Sequence, residues 1–245
     1  MRILTRGTLA AAVAALVSLG VVVANETTSN APASAPVPAA SSASLGDPTM
    51  DLPGVDELIV GLTVVAALPK VPGYERDCSK GAACVFGPAW TDNYVGPDAK
   101  NGCDTRNDVL AKSLVDATFK PGTGDCKVVG GTLHDPYTGK AIVFDPKKPS
   151  AIQVDHVFPL ARSWRAGAAN WTQGLRTSFA NDTRLNLLAV DGPTNQSKSD
   201  KGLDEWMPAS TEYRCEYARK YLTVAAVYDL AVTRDEVTAA RTACA

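Results

Sequence analysis

The chain has 245 residues, with 24 Lys and Arg against 26 Asp and Glu, only two His, and a formal charge of −2. A slightly acidic chain excludes a protein that holds a polyanion by bulk charge, so any phosphate contact must come from a local group of cations. Six Cys without a C-x-x-C pair point to disulfides and an oxidising compartment rather than to a zinc knuckle.

Arg2 and Arg6 precede an uncharged apolar stretch, Leu9 to Ala24, that ends in small residues. This is the pattern of a secretory signal peptide over residues 1–24. An uncleaved anchor is the alternative, because the stretch is near the shortest length that spans a bilayer. Removal of the segment takes away two Arg and leaves 22 basic against 26 acidic residues, a charge of −4. Residues 25–50 are mostly Ala, Ser, Thr and Pro. Such a composition buries too little apolar surface to offset the entropy of ordering it, and predicts a disordered linker. Residues 51–245 are then of a size for one domain.

Leu58 to Leu68 is an apolar run predicted as a buried helix or strand. Thr105, with Asp108 three residues on, is the expected N-cap of a short helix whose apolar face is Val109, Leu110, Leu114 and Val115. Lys127–Val129 and Ala141–Phe144 read as strands around a tight loop at 135–139. "AIQVDHVFPL" reads as a further strand stopped by Pro159, residues 161–180 as helix or loop, and Asn186–Val190 as another short strand. "DGPTN" is expected to turn into a helix over "QSKSDKGLDEW", ended by Pro208. Tyr213, Tyr217, Tyr221, Val224 and Tyr228 recur at helical spacing and read as core, and Thr233 with Glu236 forms a capping box. Spacing leaves fifteen pairings of six Cys open. The expected set is local: Cys78 with Cys84, Cys103 with Cys126, and Cys215 with Cys244.

Asp155-His156, in "VDHVFPL", is by itself most often a buried imidazole held by a local hydrogen bond. Asn186 and Asn195 change that reading, because they place two amides after the pair, the second at the entrance to a helix. The stretch "VDHVFPL … NDTRLNLLAVDGPTNQSKSDK" resembles the HNH nuclease motif in the form with Asp-His on the first strand, a middle Asn, and a last Asn on the helix. The Asn186–Asn195 spacing and the trailing N-x-x-K-S-D are similar to the HNH domain of CRISPR RNA-guided endonucleases. More broadly, "GYERD", "NGCDTRNDVL", "DPYTGK", "VDHVFPLARSW", "FANDTRLNLLAV" and "WMP" resemble, in order, exported actinobacterial HNH endonucleases related to the C-terminal domain of the GmrSD restriction enzymes. The resemblance runs from Val71 to Cys244. It implies an α+β fold in which a ββα-metal (HNH, or His-Me finger) core is embedded in a mostly helical, disulfide-stapled single domain.

The residues carry a matching chemistry. Attack of water on a phosphodiester needs a base near neutral pH, and His156 is the one group in the motif with an ordinary pKa in that range. Asp155, expected on the opposite side of the strand from His156, offers a carboxylate oxygen, and Asn195 an amide oxygen. Two hard oxygen donors suit Mg²⁺ or Mn²⁺ better than zinc. By resemblance, Asn186 bonds backbone across the loop and sets the position of His156. Lys198 and Lys201 are the expected phosphate contacts, with Arg162, Arg165, Arg176 and Arg184 weaker candidates. His134 reads as a plain surface residue, and the Cys78–Cys84 loop as a staple without assigned function. The last motif residue is Asn rather than His, and no cysteine knuckle surrounds the hairpin.

The expected protein is a secreted bacterial endonuclease of low sequence specificity, acting on DNA or RNA with DNA the first choice. It is expected to be a monomer without a membrane partner after signal cleavage, and an immunity protein is left open. The competing class is a catalytically silent exported binding module that keeps the fold. Serine chemistry lacks a G-x-S-x-G elbow, and cysteine chemistry would need a free thiol.

Overall fold

A computed structural model describes residues 52–79 and 81–245. The expected signal peptide (1–24) and linker (25–50) lie outside the described residues. The elements in order are α1 (Val55–Val60), β1 (Val64–Val65), α2 (Thr105–Ser113), β2 (Leu114–Phe119), β3 (Val128–His134), β4 (Ala141–Val143), β5 (Ile152–His156), α3 (Leu160–Ala166), α4 (Gln173–Ala180), β6 (Leu187–Asp191), α5 (Gly192–Lys198), α6 (Thr211–Val227), β7 (Val232–Thr233) and α7 (Arg234–Ala243), with one 3-10 turn at Ala168–Asn170. They make a mixed α and β domain with three small sheets: parallel β1–β7, antiparallel β2–β3–β4, and antiparallel β5–β6. Among the described residues no helix is long and apolar enough to cross a membrane.

The β5–β6 pair organises the interior. It pairs from Ile152 opposite Asp191 to His156 opposite Leu187. Because side chains alternate across a strand, the pair serves two cores. Ile152, Val154, Leu187 and Ala189 pack with α2 and the three-stranded sheet. Val190, with Val157 and Phe158 just past β5, packs with α3, α4, α6 and α7. The tyrosine stripe of α6 is core, as its spacing predicts: Tyr217 and Tyr221 are fully buried, and Phe158 stacks on Tyr221 with ring centroids 4.4 Å apart. Each such burial contributes roughly 1.5–3 kcal/mol.

All three local disulfides are present, and Cys215–Cys244 ties α6 to the end of α7. The Thr233–Glu236 capping box starts α7. Four expectations need correction. The run from Leu58 to Leu68 splits into α1 and the two-residue β1, and within it only Leu58 is buried while Val60 is 89% exposed. The N-cap of α2 is Asp104, whose carboxylate accepts from the Asn107 amide at 2.9 Å, and Thr105 is the first helical residue. Leu114 and Val115 leave that helix to begin β2, a strand the sequence pattern did not reveal.

The fourth correction places the helix after β6 earlier than expected. Asp191 caps α5 by accepting from the Thr194 amide at 2.9 Å, and Pro193 sits in the first turn, where its missing N–H costs nothing. Gly192 is required there, since a Cβ would lie 1.9 Å from the Ser150 carbonyl oxygen. The helix stops at Ser199, a non-glycine residue with φ of 54°, well before Pro208. Asn195 therefore lies within α5 and Lys198 at its last turn, while Lys201 lies beyond it.

Candidate functional site

A cavity of about 360 Å³ opens where the end of β5 meets α5, lined by Asp155, His156 and Asn195 together with Tyr74, Arg76, Pro159, Leu160, Ser199 and Asp200. The strand pair and the helix that follows it thus bring three of the expected residues to one place.

His156 is 8% exposed, and its Nε2 lies 2.9 Å from the carbonyl oxygen of Ala180. A carbonyl only accepts, so Nε2 carries the proton, and Nδ1 is left with its lone pair and no partner among the described residues. The ring lies nearly parallel to that of Trp90, with centroids 5.9 Å apart. Burial, and secondarily the positive charge of Arg76, lower its pKa to about 3. The imidazole is therefore neutral across the physiological range.

Asn186 holds the chain around this histidine. It is fully buried, and its side-chain oxygen accepts from the Phe158 amide at 2.8 Å while its amide donates to the Phe179 carbonyl at 3.3 Å. Its own carbonyl accepts from the Val157 amide at 2.8 Å. The segment just after His156 is thereby fastened to the end of α4, where Ala180 supplies the partner of Nε2. Asn186 itself does not line the cavity.

Asp155 has a different surrounding from the one expected. One carboxylate oxygen accepts from the Tyr137 hydroxyl at 2.5 Å, and the Lys198 ammonium sits 3.0 and 2.9 Å from the two oxygens. Lys198 is fully buried and also donates to the His156 carbonyl at 2.8 Å. Burial pushes the Asp155 carboxyl up and the Lys198 ammonium down, and their pairing opposes both shifts. Lys198 is thus an internal counter-ion and presents no ammonium face to solvent, in place of the expected surface phosphate contact. Asn195 donates from its amide to Gln153 at 2.9 Å, which leaves its oxygen without a partner among the described residues.

The remaining expected cations are not gathered here. Arg165 pairs with Asp200 at 3.2 Å on the cavity rim. Lys201 donates to the Ser197 carbonyl, and exposed Arg184 lines a separate recess with Val95 and Tyr228. Arg162 is buried against Glu236 at 2.8 Å and Glu205 at 2.9 Å, and Arg176 donates to the Val85 carbonyl. His134 ends β3 on the surface, as expected. Sequence reasoning missed Tyr137, Trp90 and Arg76. Tyr137 and Arg76 lie inside the quoted stretches "DPYTGK" and "GYERD", and that was their only signal.

A divalent ion was expected between Asp155 and Asn195. Among the described residues no three His, Cys, Asp or Glu side chains converge on one point, which excludes a cage built from those side chains. The Asn195 oxygen is open, and Asp155, with about four acceptor sites of which three are taken, has room for one more contact. This donor set fits a hard cation that keeps most of its waters, as Mg²⁺ does.

Comparisons with known proteins identify the family. The family model of the GmrSD restriction endonucleases, C-terminal domain, matches residues 104–239, more than half of the chain. An uncharacterized secreted protein of Arthroderma benhamiae is 36% identical over 183 residues, covering 74% of this chain and 79% of that protein. No solved structure matches.

Proposed function

Since this chain belongs to the family of the GmrSD restriction endonuclease C-terminal domain, we propose that it is a secreted, metal-dependent endonuclease of the HNH type that hydrolyses phosphodiester bonds, with DNA as first substrate and low sequence specificity. The observation that carries the reading is the tautomer of His156: Nε2 is spent on the Ala180 carbonyl, so Nδ1 is a free base in a cavity that also holds Asn195. The three disulfides and the secreted relative support an extracellular protein, here proposed to be exported by the 1–24 signal and to act as a monomer.

In this mechanism His156 Nδ1 takes a proton from water, the water oxygen attacks phosphorus, and the bond from phosphorus to the 3′ oxygen breaks, with the departing 3′ alkoxide taking a proton from solvent. A phosphodiester anion in the cavity raises the basicity of the imidazole, because a nearby negative charge favours the protonated form. Asn186 keeps the ring in place through the 157–158 backbone, and Lys198 does so from the other side through the His156 carbonyl. Mg²⁺ or Mn²⁺, held by Asn195 and the remaining lone pair of Asp155, would supply Lewis-acid stabilisation of charge on the phosphate.

Plasmid nicking tests the reading. Wild-type protein nicks with Mg²⁺ and stops with EDTA, and His156→Ala stops with the metal present. Undiminished nicking by His156→Ala refutes the mechanism. No nicking by wild type with any divalent ion favours the silent binding module.

A further inference from the structure

Arg76 is the only Lys or Arg lining the cavity among the described residues, and it also lines a smaller recess together with His156, Trp90 and Ala180. It therefore borders both recesses that reach the imidazole. Its guanidinium has no ion pair and no side-chain hydrogen bond among the described residues, whereas Arg162, Arg165 and Arg176 are all committed to protein partners.

The neighbouring acids are hydrogen-bonded or paired elsewhere, and none makes an ion pair with it. The Glu75 carboxylate accepts from the Ala83 amide at 2.9 Å, the Asp77 carboxylate from the Ser79 amide at 2.9 Å and hydroxyl at 2.7 Å, and Asp200 is paired with Arg165. The backbone on both sides of Arg76 is fixed as well. The Val85 amide donates to the Glu75 carbonyl at 2.9 Å, the Cys84 amide to the Asp77 carbonyl at 3.0 Å, and the Cys78–Cys84 disulfide closes the loop. An exposed cation on a fixed mount, over a neutral base, loses little freedom when an anion arrives. A guanidinium also matches the paired oxygens of a phosphate.

We propose that Arg76 is the phosphate clamp of this site: it holds a nucleic-acid backbone phosphate across His156, mounted on the backbone that the Glu75–Val85 and Asp77–Cys84 hydrogen bonds fix. The proposal rests on the nuclease reading, but binding tests it apart from catalysis. The probe is a short fluorescent DNA duplex, titrated in EDTA against full-length disulfide-intact His156→Ala protein, with and without Arg76→Ala, over a range of salt.

The expected result is an affinity loss of about tenfold or more, and a slope of log affinity against log salt smaller by about 0.9. Arg76→Lys restores the slope and only part of the affinity, since Lys meets phosphate as a point charge. Unchanged affinity and slope in Arg76→Ala with native melting overturn the clamp, as does absence of salt-dependent binding by the parent. If wild type nicks nothing while Arg76→Ala still loses DNA binding, the nuclease reading fails and the clamp stands. If wild type nicks and Arg76→Ala nicks with the same KM and kcat, the clamp fails alone.

Discussion

Replacing Lys198 with Met separates the structural from the catalytic share of the site. The Met chain fills the space of the lysine stem but leaves the Asp155 carboxylate buried without its counter-ion. With Nζ 2.9 Å from Oδ2, the gross attraction at an effective dielectric near 20 is about 6 kcal/mol, and desolvation of the two groups offsets much of it. Breaking one side of a buried pair costs about 3–5 kcal/mol, because the remaining charge is uncompensated. For a domain of this size each kcal/mol moves Tm by roughly 2–4 °C, so Lys198→Met should melt about 6–20 °C below wild type in a calorimeter, with disulfides intact. Asp155→Asn in the same background removes the orphan charge and can still accept from Tyr137, so it should recover at least about 1.5 kcal/mol as a non-additive term. A Lys198→Met protein within about 1 kcal/mol of wild type would show that the ammonium does not rest on Asp155 in solution, and the account of Lys198 as a counter-ion would go.

Other consequences can be measured in the same way. With divalent ions chelated, His156 is held at a pKa of about 3 when folded and returns to its ordinary 6.5 when unfolded. Between those values the unfolded chain binds the extra proton, so stability rises with pH and is lost as pH falls below 6.5; at pH 4.5 this group alone accounts for about 2–3 kcal/mol. Urea melts at about pH 7 and about pH 4.5 should show a larger drop for wild type than for His156→Gln, and equal drops would mean that the folded imidazole is already charged. Asn186→Ala leaves the buried Phe158 amide without its acceptor and should cost about 1–3 kcal/mol. Its kcat should fall much more than its KM rises, and a change confined to KM would place Asn186 on substrate instead. Removing Cys215–Cys244, which closes a separation of 29 residues, should cost about 3–4 kcal/mol and leave nicking at a permissive temperature intact; a lost activity there would tie the α6–α7 clamp to the site.

How much of this was legible in the sequence follows from the range of the forces involved. β5, β6 and the capping box of α7 are set by local apolar runs and cap chemistry, and they appear where the pattern puts them. The start of α5 was misplaced because Gly and Pro in "DGPTN" read as a turn, although Pro in a first turn and Gly under a close carbonyl belong to a helix start. β2 was hidden because its burial does not alternate cleanly and its pairing partner lies beyond a loop.

The cations show the same limit more sharply. Lys198 and Arg165 stand on or beside motif elements, so proximity in sequence suggested phosphate contacts, yet each has an acid that burial or a neighbouring loop supplies. Arg76 stands 80 residues before His156 in an irregular segment between two acids, and only its place in "GYERD" marks it. Only the fold shows that both acids are bound to backbone and that Arg76 lines the cavity. In a chain of net negative charge, an available cation at a phosphate site is one whose neighbouring carboxylates are engaged elsewhere, and that is a property of tertiary hydrogen bonding rather than of composition.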